Sequence, residues 1–264
     1  MGFLSDLTRE IRAELAARPP GGSALEAAAA SAPPARDLAA TLRGYAQDEG
    51  VAIIAELKRA SPSAGPIAPD VDPVLQATAY DVADVAAISV LTEGRHFGGS
   101  IDDLRAVRAA VLHPVLRKDF LIHPGQLLEA RAAGADSVLL ITSCLEDEEL
   151  GAMLDAARRL GMEPLVETHS DDDLERALST DAEVVGVNAR DLETLAVDVL
   201  AALERLRRIP ADRVGVLESG VGSRADVVAA VEAGASGVLV GEVLMRAPDP
   251  GSKVSELLGE ERDG

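Results

Sequence analysis

Eight short, mostly apolar runs recur along the chain, and segments with helical periodicity separate them. The runs span residues 51–57, 84–91, 113–120, 136–142, 163–169, 183–189, 213–219 and 237–242. Each run is continuous rather than alternating, which is typical of parallel strands buried on both faces. The alternation of these runs with helical segments predicts right-handed βαβ units around a parallel sheet.

Eight strand–helix repeats predict a closed (β/α)₈ TIM barrel better than an open doubly wound sheet, the main alternative. An internal echo supports the repeat: AGADSVLL (133–140) and AGASGVLV (233–240) place a helix-ending glycine, Gly134 or Gly234, before a strand. We therefore expect one structural domain, in which residues 51–264 form the barrel and residues 1–50 form an N-terminal helix and linker that cap it.

The N-terminal region lacks the features of an export or membrane segment. Its apolar residues form one stripe of an amphipathic helix, at Phe3, Leu4, Leu7, Ile11 and Leu15. Residues 19–35 are rich in Pro, Gly and Ala, which predicts a loop or a weak helix. Charged residues interrupt what would be a signal peptide, and no apolar stretch is long enough to span a bilayer. A single cysteine excludes an internal disulfide, so we expect a cytoplasmic protein.

The charge balance restricts the partners that the chain can have. It contains 25 Lys+Arg against 45 Asp+Glu, a formal net charge of −20, which repels nucleic-acid backbones and anionic lipid surfaces. Only 2 % of the residues are aromatic and none is Trp, so base-stacking platforms are not expected. The predicted partner is a small molecule, with neither nucleic acid nor membrane involved.

Polar residues end five of the predicted strands, where TIM barrels carry their chemistry. These residues are Glu56, Lys58, Lys118, Asp119, Glu167, Asn188, Arg190, Glu218 and Ser219. Only three of the 25 basic residues are lysines, and two of those three lie at strand ends. Unlike arginine, a desolvated lysine can lower its pKa and transfer a proton. The pattern therefore predicts an acid–base site at the barrel mouth.

Glycine-rich turns indicate a phosphate site at the same mouth. The turn at 219–223 follows strand 7, the turn at 240–245 follows strand 8, and SPSAGP (61–66) follows strand 1. Loops after strands 7 and 8 form the recurrent phosphate cradle of such barrels. The Glu242 carboxylate would compete with phosphate unless its side chain turns outward. The four histidines lack zinc-site spacing, so no metal is expected.

The sequence resembles the indole-3-glycerol-phosphate synthase family of tryptophan biosynthesis. The resemblance rests on IIAELKRASPSAGPI (53–67), PVLRKDFLIHPGQLLEARAAGAD (114–136), VGVNARDL (185–192) and VGEVLMRAPDPG (240–251), among motifs that touch every strand. It implies a carboxy-lyase that converts 1-(2-carboxyphenylamino)-1-deoxyribulose 5-phosphate into indole-3-glycerol phosphate, losing carbon dioxide and water without any cofactor. It also implies an extra N-terminal helix that covers the barrel bottom.

The resemblance implies roles for individual residues. Lys118 matches the general acid, and Glu167 the carboxylate that stabilises the cationic intermediate or takes a proton. Lys58 and Glu56 match a coupled pair in the dehydration. Asn188, Glu218 and Ser219 would hold the substrate, the first two also the lysines, while Arg190 would pair with the site's acids. The implied apolar wall is Phe97, Phe120 and Leu140, and the implied phosphate-binding residues are Ser61, Gly220, Gly241 and Glu242.

Two other functions remain open on the same barrel. A Schiff-base aldolase would use Lys118 as its nucleophile, and a phosphosugar-binding protein would have no turnover. A phosphoribosylanthranilate isomerase is not expected, because it needs a cysteine at the end of strand 1, where Glu56 stands. For each of these functions, we expect a monomer or a weak oligomer.

Overall fold

Each of the eight apolar runs forms a parallel strand, and the eight strands close into a barrel in this computed structural model, which describes residues 2–259. The strands are β1 (Ala52–Leu57), β2 (Ala87–Leu91), β3 (Val115–Lys118), β4 (Ser137–Ile141), β5 (Leu165–Thr168), β6 (Val184–Asn188), β7 (Val214–Glu218) and β8 (Gly237–Val240). Each strand pairs with its neighbours in sequence, and β1 pairs with β8 to close the circle. The predicted TIM barrel is confirmed, and the open sheet is excluded.

Helices connect the strands and surround the barrel. They are α4 (Pro73–Val82), α5 (Ile101–Ala110), α6 (Pro124–Ala132), α7 (Asp147–Arg159), α8 (Asp171–Leu178), α9 (Val199–Leu206), α10 (Arg224–Glu232), α11 (Glu242–Arg246) and α12 (Pro250–Leu258). Side-chain caps begin many of them, as when Ser223 accepts from the Asp226 amide. The echoed glycines Gly134 and Gly234 follow α6 and α10 with φ of 94° and 96°, the left-handed conformation that ends a helix.

Three further helices precede the barrel: α1 (Phe3–Ala17), α2 (Ser23–Ser31) and α3 (Leu38–Asp48). The amphipathic helix α1 lies over the barrel mouth, where the Leu4 amide donates to Leu192 O at 3.2 Å. Helix α2 lies within the segment expected to be a loop or a weak helix, and it packs on α6. Helix α3 packs beneath β1, β2 and β7 at the opposite end.

The expectation that the extra N-terminal helix covers the barrel bottom is therefore wrong for α1 and describes α3 instead. Periodicity gives the apolar face of a helix but not the surface on which that face packs. The first barrel strand begins at Ala52, while residue 1 and residues 260–264, the last of which were expected to belong to the barrel, lie outside the described residues. Within residues 2–259, no helix has the length and apolarity needed to cross a bilayer.

Asp136 ties the N-terminal segment to the barrel just before β4. Its carboxylate is fully buried, accepts from the amides of Arg36 at 2.8 Å and Val115 at 2.9 Å, and lies 2.8 Å from Arg108 Nε. The free-energy cost of burying a carboxylate is offset only when such hydrogen-bond and ion-pair partners surround it. Removing it leaves Arg108 without its ion-pair partner and the two amides without their acceptor.

We predict that Asp136→Ala lowers the free energy of unfolding by about 3–5 kcal/mol, the usual cost of breaking a buried ion pair. Urea denaturation followed by circular dichroism measures this change. Asp102→Ala is the matched control, because that carboxylate is exposed and pairs with Arg105 on the helix surface. Its loss is expected to cost no more than about 1 kcal/mol. Equal effects of the two substitutions would contradict the assignment.

Candidate active site

A cavity of about 470 Å³ opens at the carboxyl ends of the strands. All eight strands contribute to its lining, so its polar residues come from distant parts of the chain. The predicted residues that line it are Glu56, Lys58, Ser61, Phe97, Lys118, Asp119, Phe120, Glu167, Asn188, Arg190, Glu218, Ser219, Gly220, Gly241 and Glu242. Leu140 is the predicted site residue that does not line it.

Lys118 lies between two buried carboxylates. Its Nζ is 2.7 Å from Glu167 Oε2 and 2.8 Å from Glu218 Oε2. The three side chains extend from β3, β5 and β7, and both carboxylates are about 1 % exposed. With water excluded, these charge-assisted hydrogen bonds are stronger than the same pairs would be at the surface.

Their ionisation follows from burial and mutual charge. Burial alone lowers the pKa of Lys118, but the charges of Glu167 and Glu218 outweigh it and raise that pKa above its ordinary value. Burial acts to raise the pKa of Glu167, yet Lys118 and His169 hold it well below the usual range. Burial and the charge of Glu167 raise the pKa of Glu218 well above the usual range.

This outcome differs from the expectation that desolvation would lower the pKa of a catalytic lysine. Two carboxylates in direct contact favour the ammonium more strongly than burial disfavours it. Lys118 is therefore a charged proton donor beside the ionised Glu167, and Glu218 has an increased affinity for a proton. The arrangement suits proton transfer to and from a bound molecule.

Lys58 and Glu56 form a second pair on the β1 side of the cavity, with Lys58 Nζ 2.7 Å from Glu56 Oε1. Gly241, just after β8, leaves room for this pair. A Cβ atom at Gly241 would collide with Glu56 Oε1 and lie 3.0 Å from Lys58 Nζ. This glycine is thus required by the packing of the pair, independently of any role in phosphate binding.

The apolar wall contains Phe97 and Phe120, whose ring centroids are 6.2 Å apart. The prediction of Leu140 as part of this wall is wrong. Successive side chains of a strand point to opposite faces, so Leu139 and Ile141 line the cavity while Leu140 packs outward against the helices.

Polar groups hold the two phenylalanines in place: Asp119 was expected at the mouth as a strand-end residue, whereas Glu93 and Arg117 were missed. The Glu93 carboxylate accepts from the amides of His96 at 2.7 Å and Phe97 at 3.1 Å. Asp119 accepts from the Phe120 amide at 2.9 Å and is held in turn by Arg117 at 3.0 Å. Glu93 could have been identified as a loop cap from its position three and four residues before those amides.

Asn188 and Arg190 follow β6 at the rim. Asn188 Oδ1 accepts from the Arg190 amide at 3.0 Å, and the Arg190 guanidinium donates to Leu195 O at 3.0 Å. The expectation that Arg190 pairs with the site's acids is wrong, because within residues 2–259 its guanidinium has no carboxylate partner. The Leu195 carbonyl is close to Arg190 in sequence, and the loop folds back so that this carbonyl accepts from the guanidinium.

The phosphate-binding residues expected from the sequence share one side of the cavity. Ser219 (φ 64°) and Gly220 (φ 77°) are both left-handed, which turns the chain sharply after β7. The Glu242 side chain pairs with Arg246 Nε at 3.0 Å, so its charge is partly neutralised. Arg246 also lines the cavity and was missed.

Two more cavity neighbours were missed. His169 Nε2 lies 3.0 Å from Glu167 Oε1, and the His169 side chain is buried. Residues two apart on a strand share a face, so the spacing of Glu167 and His169 was a usable signal. Phe3 lines the cavity from α1, and no local pattern places a terminal helix there.

The cavity thus combines a charged donor between carboxylates, an apolar wall and a glycine-rich side with basic residues. Within residues 2–259, no three His, Cys, Asp or Glu side chains are grouped to hold a metal ion. These features suit a ligand that carries a phosphate, an apolar ring and a polar group that accepts a proton.

Comparison with known proteins agrees with this geometry. Residues 4–257 match the family described as indole-3-glycerol phosphate synthase. The chain is 48 % identical over 257 residues to the indole-3-glycerol phosphate synthases of Mycobacterium ulcerans (strain Agy99) and Mycobacterium tuberculosis (strain ATCC 25618 / H37Rv). Each alignment covers 97 % of this chain and 93 % of the relative.

Solved structures support the fold. A 3-hexulose-6-phosphate synthase superposes with a TM-score of 0.62 at 19 % identity, covering 79 % of this chain and 99 % of that one. A chain of the tryptophan synthase complex from Pyrococcus furiosus gives a TM-score of 0.60 at 18 % identity, covering 80 % and 98 %. At such identities the likeness establishes the barrel alone.

We predict that Leu139→Ala and Leu140→Ala, although adjacent, have different effects. Leu140→Ala is expected to lower the free energy of unfolding by about 2–5 kcal/mol, the usual cost of truncating a buried leucine, and to leave the KM for the substrate unchanged. Leu139→Ala is expected to raise KM, because it removes part of the cavity wall. Urea denaturation and steady-state kinetics measure the two effects. A raised KM in Leu140→Ala alone would contradict the observed strand orientation.

Proposed function

The chain belongs to the indole-3-glycerol phosphate synthase family, and we propose that Lys118 and Glu167 carry out the ring closure of that enzyme's reaction. The protein is a carboxy-lyase of tryptophan biosynthesis that converts 1-(2-carboxyphenylamino)-1-deoxyribulose 5-phosphate into indole-3-glycerol phosphate. The observation that supports these roles best is the Lys118 ammonium, held at 2.7 Å and 2.8 Å by the buried carboxylates of Glu167 and Glu218.

Lys118 is the general acid. A ring carbon of the substrate attacks the ribulose carbonyl, and the carbonyl oxygen takes a proton from Lys118 Nζ as the new carbon–carbon bond forms. The raised pKa of Lys118 keeps the amine charged in the resting enzyme. Because the neighbouring carboxylates oppose early loss of the proton, transfer is coupled to the negative charge that develops on the carbonyl oxygen in the transition state.

Glu167 stabilises the positive charge that appears on the ring system after attack. Its lowered pKa keeps it ionised, and its place beside Lys118 puts the negative charge at the reacting centre. Glu218 holds Lys118 from the other side, and Asn188 at the rim of β6 is placed to hydrogen-bond the substrate.

Lys58 and Glu56 serve the later dehydration. Their 2.7 Å contact places a donor and an acceptor of protons together on the β1 side of the cavity. Phe97 and Phe120 pack against the anthranilate ring and exclude water from it, which strengthens the charged contacts around Lys118.

The phosphate binds on the glycine-rich side. Amides near Gly220 and Gly241, together with Ser61, supply donors, and the pairing of Glu242 with Arg246 reduces repulsion there. Ser219 and Arg190 also line the cavity and complete the contacts to the substrate.

The Schiff-base alternative needs a neutral amine on Lys118. Both carboxylates disfavour that form, because they raise the pKa of the amine. General acid catalysis uses the charged form that the contacts stabilise.

We also propose that the enzyme acts in the cytoplasm as a monomer or a weak oligomer. Its single cysteine, Cys144, is buried and free, as is typical of proteins in reducing compartments. The residues proposed for catalysis come together in one cavity within a single copy of the chain, which supports a monomer as the catalytic unit.

We predict that Lys118→Met lowers kcat by about 10²-fold or more, the scale of a lost general acid. Indole absorbance with the carboxyphenylamino-ribulose phosphate measures turnover, with chelator present to test the expected independence of metal. Lys253→Met is the matched control, because that lysine lies on α12 and pairs with Glu256.

Two results would contradict the assigned role: near-normal turnover in Lys118→Met, or borohydride trapping of a covalent adduct on Lys118. Loss of activity in Lys253→Met would show that lysine replacement acts through stability rather than through chemistry.

A further inference from the structure

We propose that Gly186 is a positioning residue for this reaction: the space left by its missing side chain is where the Glu218 carboxylate lies. Gly186 is in the middle of β6, and Glu218 ends the neighbouring strand β7. The inference rests on the proposed role of Glu218 in holding Lys118.

The fit between the two residues is direct. A Cβ atom built on Gly186 would collide with Glu218 Oε1 and would lie 3.3 Å from Glu218 Cδ and from Leu165 Cδ1. Glu218 Oε1 is buried without a hydrogen-bond partner, whereas Oε2 bonds to Lys118. The inner oxygen therefore packs directly against the glycine, and the Glu218 carboxyl also contacts Glu167.

Backbone conformation does not explain the glycine. Gly186 lies outside the left-handed region that ten other glycines in residues 2–259 adopt, so an alanine would be unstrained in its φ angle. The strand pairs on both sides, with Glu167 of β5 and Val216 of β7 in register, which prevents the backbone from moving away. A methyl group would therefore displace the Glu218 carboxylate.

Displacement of Glu218 changes the surroundings of Lys118. The ammonium faces the carboxylates of Glu56, Glu167 and Glu218, and His169 lies beside Glu167. Without Glu218 in place, Lys118 loses one of its two direct anionic partners and one constraint on its direction. Its pKa should fall, and the proton donor should sit less accurately against the carbonyl.

A double-mutant cycle tests the proposal, using Gly186→Ala, Glu218→Ala and the variant with both substitutions. We expect Gly186→Ala to lower kcat by about 10²-fold, as a misplacement of roughly 1 Å can. The alkaline limb of its kcat profile should move to lower pH. Glu218→Ala removes the group that the methyl displaces. Adding Gly186→Ala to the Glu218→Ala variant should therefore lower kcat no further.

The matched control is Gly215→Ala on β7. A Cβ atom there would lie 3.3 Å from the flexible end of Ile209 and 3.5 Å from Leu206 Cδ2, away from the cavity. We expect its kcat to stay within about twofold of the parent and its pH profile to be unchanged, because a methyl group there does not reach the Lys118 site.

If Gly186→Ala folds poorly, urea denaturation tests the proposal in place of kinetics. The variant with both substitutions should then be more stable to urea than Gly186→Ala alone, since truncating Glu218 removes the collision. Multiplicative losses of kcat, an unmoved alkaline limb, or a Gly186→Ala enzyme with parent-like kinetics would each overturn the proposal.

The cycle separates this inference from the proposed role of Glu218. If Glu218→Ala retains full activity, the catalytic role of Glu218 fails, yet the coupling in urea stability still reports whether Gly186 positions its carboxylate. If Glu218→Ala is impaired and Gly186→Ala is not, the proposal for Gly186 fails alone.

Discussion

The Lys118 ammonium between Glu167 and Glu218 is the interaction on which the rest of the site depends. Its partners lie 49 and 100 residues further along the chain, so only the closure of the barrel brings the three groups together. Placing these charges in a dry interior is costly, and only their mutual contacts make it tolerable. The same contacts favour the protonated form of the lysine, which is the form that the proposed general acid requires.

Much of the remaining structure supports that arrangement. The helices and the apolar strand residues exclude water from the barrel interior, which strengthens each charged contact. Glycines stand where the carboxylates need space, as Gly241 does for Glu56 and as Gly186 is inferred to do for Glu218. Helix α1 covers the mouth and contributes Phe3 to the cavity, so even the terminal segment bears on the polarity of the site.

The strand ends were predictable because one physical rule controls them. Continuous apolar runs indicate buried parallel strands, and the polar residues that end them must meet at one rim. The orientation of Leu140 was not predictable in that way, because a run buried on both faces hides the alternation of its side chains. The partner of Arg190, the position of α1 and the fit of Gly186 to Glu218 depend on tertiary packing. The rise in the pKa of Lys118 could not be predicted without the distances from its Nζ to Glu167 and Glu218. Burial lowers this pKa and neighbouring carboxylates raise it, so the residue types alone do not give the net direction.

Lysine side-chain NMR as a function of pH reports directly whether Glu167 and Glu218 keep the Lys118 amine protonated. The chain contains only three lysines, so selective labelling gives three signals, and Lys118→Met and Lys253→Met assign them. We predict that the Lys118 signal is still that of an ammonium at pH about 11, above the ordinary lysine pKa of about 10.4. A Lys118 signal that titrates at or below the ordinary value would show that the two carboxylates do not control this amine.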